Sequence, residues 1–259
     1  MSQLIHASAI IDPKAWLDSS VKVGPYSVIG PGVKISAGCE IASHVVIEGP
    51  TEIGPRCKFW PFAVIGAAPQ DKKYKDEPTT LVMGADNTVR ESVTINRGTT
   101  QGGGETRIGD DNWIMAYVHI AHDCTVGSHT IFANNTTLAG HVTIEDWVIL
   151  GGATLVHQFC RIGAHAFTGM AAKINGDVPP YVVIAGEMSA PRGINSEGLK
   201  RRGFSSEQIM AIKRAYKTLY QSDLTLADAK AQLAAVASED ANIARLLAYL
   251  ELADRGLQR

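Results

Sequence analysis

Eight histidines lie along a chain of 259 residues, at positions 6, 44, 119, 122, 129, 141, 157 and 165, and four of them have neighbours that make chemistry possible. His122 is followed by Asp123, His141 follows Gly140, His157 precedes Gln158, and His119 lies just upstream. Their spacing is regular: His122, Gly140 and Gln158 stand 18 residues apart, and so do Asp123 and His141. An imidazole held by a carboxylate serves as a general base. A glycine N–H with no side chain to shield it suits the oxyanion that develops on an attacked carbonyl. The set therefore fits acyl transfer to a hydroxyl. It also fits a second chemistry, zinc held by imidazoles, with His119, His122 and His141 as the ligands.

Such residues need a rigid support, and the sequence supplies a periodic one. Aliphatic or aromatic residues recur at every sixth position from Ile5 through Ile11, Leu17, Val23, Ile29, Ile35, Ile41, Ile47, Ile53 and Phe59 to Ile65. The register restarts at Met83, Val89 and Ile95, and again from Ile108 to Ile162; Thr168 keeps step and Ile174 closes the run. A period of six fits neither a helix nor the two-residue alternation of an ordinary strand. Short strands turned at regular corners into a solenoid do give it. Ten of the 25 glycines directly follow a periodic residue, among them Gly54, Gly109 and Gly163, where a corner needs positive φ or close backbone approach. None of the histidines coincides with an inward position, so they face outward; His6, His44, His129 and His165 read as ordinary surface residues.

Cys39, Cys57, Cys124 and Cys160 all fall four residues after a periodic position, the second inward slot, and read as free thiols acting as small hydrophobes. No disulfide framework is indicated. Lys plus Arg number 24 against 26 Asp plus Glu, a net charge of −2 that argues against a nucleic-acid or polybasic membrane binder. No apolar run reaches the roughly 18 residues of a membrane span, and the start Met1-Ser2-Gln3-Leu4-Ile5-His6 lacks the pattern of a signal peptide. A soluble cytoplasmic protein is expected.

Two stretches, 67–82 and 97–107, break the repeat and are expected to loop out; polar loops on a rigid frame gather ligand contacts. After Ile174 the pattern changes. Ser205 and Gln208 offer an N-cap and its capping-box partner, and Ile209, Ile212, Ala215, Tyr216 and Leu219 form an apolar stripe at helical spacing. Thr225 caps a second helix through Val236, and Asp240 or a neighbour a third, with Ile243, Leu246, Leu247 and Leu250 on one side. The expected organisation is a β-solenoid over 1–190 and a helical domain over 191–259, with Lys200, Arg201, Arg202, Lys213, Arg214 and Lys217 as a basic surface.

The repeat resembles that of the hexapeptide-repeat family, whose coils are left-handed parallel β-helices of three hexapeptides per turn. That implies vertical columns: His122 below Gly140 below Gln158, and Asp123 below His141. The blocks Ile120-Ala121-His122-Asp123-Cys124-Thr125-Val126-Gly127, Ala139-Gly140-His141, Val156-His157-Gln158-Phe159-Cys160 and Asn195-Ser196-Glu197-Gly198-Leu199-Lys200-Arg201-Arg202-Gly203-Phe204 sharpen the likeness. Together they resemble the UDP-N-acetylglucosamine O-acyltransferases that open lipid A biosynthesis, over essentially the whole chain. The resemblance implies that His122 deprotonates the glucosamine 3-hydroxyl as it attacks an acyl–acyl carrier protein thioester, that Asp123 orients His122, and that the Gly140 N–H holds the oxyanion. It implies that His119, His141 and Gln158 line the site, and that Gln70, Asp71, Lys73, His157, Asn195, Glu197, Arg201 and Arg202 meet the sugar nucleotide, guanidinium groups suiting a diphosphate. It further implies a homotrimer with sites between neighbouring coils, docking of the acidic carrier protein on the basic helical surface, and neither cofactor nor metal.

Two positions depart from the family. Asn96 stands where Thr-Ile-His-Arg-Gly-Thr is expected, and Met170 stands where members taking long acyl chains carry glycine. A thioether there shortens the apolar groove, so the expected donor is a medium-length (R)-3-hydroxyacyl group, nearer 3-hydroxydecanoyl or 3-hydroxylauroyl. Other readings within the fold are zinc-dependent hydration of carbon dioxide, acyl transfer to a sugar amine or from coenzyme A, and a scaffold without catalysis.

Overall fold

The computed structural model describes residues 4–253 and 255–259; Met1, Ser2 and Gln3, part of the segment read for a signal peptide, lie outside the described residues. The chain winds into a left-handed parallel β-helix followed by helices. Its short strands form three sheets of nine, eight and ten strands, one per face of a triangular prism. The last strand, Ala190–Ile194, pairs antiparallel with Val182–Ala185. Away from the two insertions, the strands up to Lys173–Ile174 stack in parallel with partners 18 residues apart, as Val28 does with Val46 and Thr137 with Leu155. This stacking makes the periodic aliphatics the core: Ile29, Ile47, Ile65, Ile95, Ile120 and Leu138 are all buried in one interior column. The four cysteines are fully buried, as expected, and they also satisfy the corners: Cys39, Cys57 and Cys124 donate to the carbonyls of Gly54, Gly84 and Ala139 at 3.1–3.2 Å. Burial pushes the Cys124 thiol up to about 12 and Cys160 up to about 11, which leaves neither nucleophilic near neutrality.

The pairing passes over the insertions. Val64 pairs with Thr94, and Thr94 with His119, so two coils carry additional residues. Both insertions are shorter than 67–82 and 97–107. Thr80–Met83 and Glu105–Ile108 are strands that pair with each other residue for residue, because alternation buries Leu81, Met83, Thr106 and Ile108 on one side. The excursions are therefore 68–79 and 97–104.

Most corner glycines work by close approach, and Gly66, with φ 75°, by a left-handed backbone as well. A Cβ on Gly54 would lie 2.5 Å from the backbone of Gly84, and φ at Gly54 is ordinary. The left-handed residue comes two positions later in the corner and is mostly not glycine: Asp123, His141, Phe159 and His165 all have φ between 61° and 65°. Such a conformation costs on the order of 1–3 kcal/mol per residue and persists only where the surrounding ladder enforces it. It also throws these side chains outward at the prism edges.

Four helices follow: α1 (Ser196–Arg201), α2 (Ser206–Tyr220), α3 (Leu226–Ala237) and α4 (Ala241–Glu251). The capping box at Ser205 and Gln208, the Thr225 cap and the Asp240 cap are all formed. Helix α1 was not legible from periodicity, being a short turn capped by Asn195. On α4 the buried position is Tyr249 rather than Leu247, because its hydroxyl donates to the Arg161 carbonyl at 2.7 Å and ties the helix to the solenoid. Among the described residues no helix is long and apolar enough to cross a membrane.

His129 and His165 are not loose surface groups. His129 stacks on Trp147 at 4.1 Å, Trp147 lies parallel to His165, and His165 stacks on Tyr181 at 5.7 Å. His44 is likewise held between Tyr26 and Phe62. Burial, reinforced by the charges of Arg202 and Arg245, pushes the His165 imidazole down to about 4 from an ordinary value of 6.5. Between those two pH values the unfolded chain binds a proton that the folded chain does not, so this residue makes stability rise with pH across that window. His165→Phe, which keeps the stack, is expected to flatten the climb of Tm between pH 4.5 and 6.5 in calorimetry; an unchanged slope would show that His165 is not the group responsible.

Candidate functional site

The prism has three edges, and the candidate residues separate onto them. The first edge follows the nine-stranded sheet and carries, coil above coil, His122 and Asp123, then Gly140 and His141, then Gln158 and Phe159. Backbone bonds fix the stacking: the His141 N–H donates to the His122 carbonyl and the Phe159 N–H to the Gly140 carbonyl, each at 3.1 Å. Both columns expected from the 18-residue spacing are therefore present. The two insertions leave the coil at this same edge, immediately after the strands ending at Ala67 and Asn96.

At the centre, His122 Nδ1 and Asp123 Oδ2 are 2.7 Å apart. The Asp123 side chain is fully buried, and His122 keeps 16% of its side chain exposed. The carboxylate accepts two further bonds, from the Thr99 N–H to Oδ1 and from the Thr99 hydroxyl to Oδ2, both at 2.7 Å. With Asp123 as acceptor, the imidazole donates from Nδ1, which leaves Nε2 as the basic nitrogen. That side of the ring faces Gly140: a Cβ there would lie 2.6 Å from His122 Cε1 and 2.9 Å from Nε2, so only glycine leaves the ring its place. Among the described residues no group accepts the Gly140 N–H.

His141 meets the His122 ring edge-on at 5.2 Å and lies flat against Phe159 at 4.4 Å. Its Nε2 is 3.6 Å from Asp123 Oδ2, beyond hydrogen-bond range. Burial lowers the pKa of His141, opposed by Asp123 and Asp71 and aided by His122; burial and then the His122 charge lower that of His119. Both are therefore held toward the neutral form. His119 sits in the sheet rather than at the edge, bonded through Nδ1 to the Thr94 hydroxyl at 2.7 Å. The potential metal-ligand atoms of His122, Asp123 and His141 come within 4.8 Å of one another, and His119 is not part of that group. An Asp123 carboxylate already taken by three donors is built to orient an imidazole.

Gln70, Asp71 and Lys73 lie on the first insertion, Gln70 and Lys73 exposed and Asp71 half-buried. Asn96 is buried and donates to the carbonyls of Ala68 at 3.0 Å and Ala67 at 3.4 Å, so the residue in place of the family's histidine fastens the start of that insertion. Arg97 reinforces it through Gly66 O and Tyr74 Oη. His157 is exposed and pairs with Arg255 at 3.1 Å.

The remaining candidates are not brought to this edge. Asn195 caps α1 and donates to the His165 carbonyl at 3.0 Å; the Arg202 guanidinium donates to His165 Nδ1 at 3.1 Å and lies over Trp147. These residues belong to the second edge, which follows the eight-stranded sheet. Glu197 pairs with Lys200, and Arg201 is exposed beside them. Met170 stands 83% exposed on the third edge, after the ten-stranded sheet. Thr99 and Phe159 were missed in the sequence. Phe159 was legible as the next step of the Asp123–His141 column, whereas Thr99 lies in an insertion that the register does not reach.

Residues 177–258 match the family described as UDP N-acetylglucosamine O-acyltransferase, domain 2, and residues 32–67 and 105–140 match the bacterial transferase hexapeptide (six repeats). The acyl-[acyl-carrier-protein]–UDP-N-acetylglucosamine O-acyltransferase of Herminiimonas arsenicoxydans is 61% identical over 99% of both chains, and that of Janthinobacterium sp. (strain Marseille) 62% identical over the same share. Among solved structures, the UDP-N-acetylglucosamine acyltransferase of Francisella novicida superposes with a TM-score of 0.97 at 40% identity, covering 98% of this chain and 94% of that one. The Acinetobacter baumannii LpxA structure gives 0.97 at 44% identity, covering 99% of this chain and 100% of the other. The likeness runs the length of the chain, through both the solenoid and its helical end, and the chain belongs to the family of UDP-N-acetylglucosamine O-acyltransferases.

Proposed function

We propose that this chain transfers an (R)-3-hydroxyacyl group from acyl carrier protein to the 3-hydroxyl of UDP-N-acetylglucosamine, the opening reaction of lipid A biosynthesis. The observation that carries this reading is the His122 ring, tied through Nδ1 to the buried Asp123 carboxylate, with Nε2 open beside Gly140. His122 Nε2 takes the proton of the sugar hydroxyl as its oxygen attacks the thioester carbonyl. The Gly140 N–H stabilises the resulting oxyanion. Collapse expels the carrier thiolate, which recovers its proton from the His122 imidazolium, and the ester is left on the sugar. Neutral His119 and His141 line the site beside Gln158 without adding a charge that would oppose protonation of His122.

A single chain holds the base on one edge, the guanidinium groups on a second and Met170 on a third. We propose a homotrimer in which the first edge of one copy faces the other edges of its neighbours. The diphosphate then meets Arg201 and Arg202, Asn195 and Glu197 support the same end, and Gln70, Asp71, Lys73 and His157 hold the sugar nucleotide. Residues 1–190 carry the chemistry, and 191–259 offer the basic surface to the acidic carrier protein. We infer a cytoplasmic reaction from these two substrates. Met170 ends the acyl groove early and selects a medium-length chain.

Transfer of labelled acyl groups from a panel of (R)-3-hydroxyacyl carrier proteins tests the reading. His122→Ala is expected to lose about 10²–10⁴-fold in kcat; a variant retaining near wild-type turnover would contradict it. In the same panel Met170→Gly is expected to move the preferred donor to longer chains, and an unchanged profile would refute the role of the thioether.

A further inference from the structure

We propose that Thr99 is a positioning residue for the Asp123–His122 pair, and that the insertion 97–104 is a clamp on the carboxylate that orients the base. The proposal rests on the acyl-transfer reading in taking His122 as that base.

Asp123 sits at an edge corner with φ 61°, a position from which its side chain must be directed by partners rather than by the core. Thr99 supplies two of them at once, its N–H to one carboxylate oxygen and its hydroxyl to the other. Thr99 is itself buried, in extended backbone, and its hydroxyl oxygen accepts the Gly102 N–H at 3.2 Å, closing the short 3₁₀ turn Thr100–Gly102. A side chain on Gly102 would collide with the Asp123 carboxyl, so the turn is laid directly against that group. From the coil below, the Thr106 hydroxyl accepts the Asp123 N–H at 2.8 Å and fixes the backbone of the same residue. The carboxylate is thus held at both oxygens, with Oδ2 directed at His122 Nδ1.

This arrangement has a chemical consequence. A carboxylate locked as acceptor selects the imidazole tautomer with its proton on Nδ1, and so keeps Nε2 free for the sugar hydroxyl. Without the Thr99 hydroxyl, Oδ2 loses a donor in a water-excluded position, the carboxylate is held by Thr99 only through the N–H at Oδ1, and fewer His122 rings are correctly oriented. Thr99 touches neither substrate in this scheme, so its loss acts on turnover and not on sugar-nucleotide binding.

The test is steady-state kinetics of Thr99→Val, Thr99→Ser and Gly102→Ala, with Thr99→Val repeated in the Asp123→Ala background and His122→Ala as control. One hydrogen bond to a charged group is worth roughly a tenfold effect, so Thr99→Val is expected to lower kcat about tenfold with KM for UDP-N-acetylglucosamine within about twofold. Thr99→Ser restores most of the turnover, Gly102→Ala lowers kcat in the same way, and Thr99→Val adds nothing once Asp123 is gone. If Thr99→Val does not fold, the Thr99→Ser and Gly102→Ala results decide. Unchanged kcat in Thr99→Val, or an equal loss in the Asp123→Ala background, overturns the clamp while His122→Ala remains inactive. An active His122→Ala overturns the base assignment itself, and the clamp with it.

Discussion

Everything in this molecule depends on one constraint, that each coil must bury its aliphatic face and present its backbone to the next coil in unbroken register. The parallel ladder repeats every 18 residues, with Ile11 on Ile29 and Ile120 on Leu138. A one-residue slip would turn the inward set outward and strand the buried corner carbonyls. Extra residues are consequently tolerated only where a strand has ended, at an edge. Both insertions take that option, and both do so at the edge that carries His122. The rigidity of the frame is what lets corner residues such as Asp123 and His141 stay in a left-handed conformation that an isolated chain would leave.

The same constraint divides the chemistry. Side chains thrown outward at one edge cannot turn to another, so the imidazoles at the first edge and the α1 residues at the second remain separate within one chain. At the first edge, electrostatics is arranged around one buried anion. Asp123 has its donors from Thr99 and His122, and burial holds His119 and His141 toward neutrality beside them. At the second edge, Arg202 lies over Trp147 and against His165, whose ring is kept neutral by burial and therefore able to accept that contact. The side chains around these groups thus already fix their orientation before any substrate arrives.

Much of this was legible in the sequence because it follows from periodicity. The solenoid, the inward cysteines, the His122–Gly140–Gln158 and Asp123–His141 columns and the caps of α2, α3 and α4 all rest on spacing that a regular frame must obey. What was not legible is non-periodic. Thr99 reaches Asp123 from an insertion, and no register relates the two. Helix α1 is too short to show a stripe, and Tyr249 outranks Leu247 because a hydroxyl finds the Arg161 carbonyl. The ends of the insertions were misjudged because Thr80–Met83 and Glu105–Ile108 pair with each other rather than with a six-residue pattern. Of the two reasons for a corner glycine, positive φ or close backbone approach, the spacing does not choose; at Gly54 it is the backbone of Gly84 that excludes a side chain, while Gly66 has φ 75°.

The most direct test of a site shared between neighbouring copies is to mix two defective chains, His122→Ala and Arg202→Ala, in equal amounts under conditions that exchange subunits, and to measure acyl transfer at low UDP-N-acetylglucosamine. In the proposed trimer each parent alone lacks one half of every site. In random cyclic trimers, about a quarter of the interfaces combine an intact His122 with an intact Arg202 from the next copy, so the mixture is predicted to recover about a quarter of wild-type activity. A mixture no more active than its parents would contradict a site divided between copies and would place all of its residues within one chain.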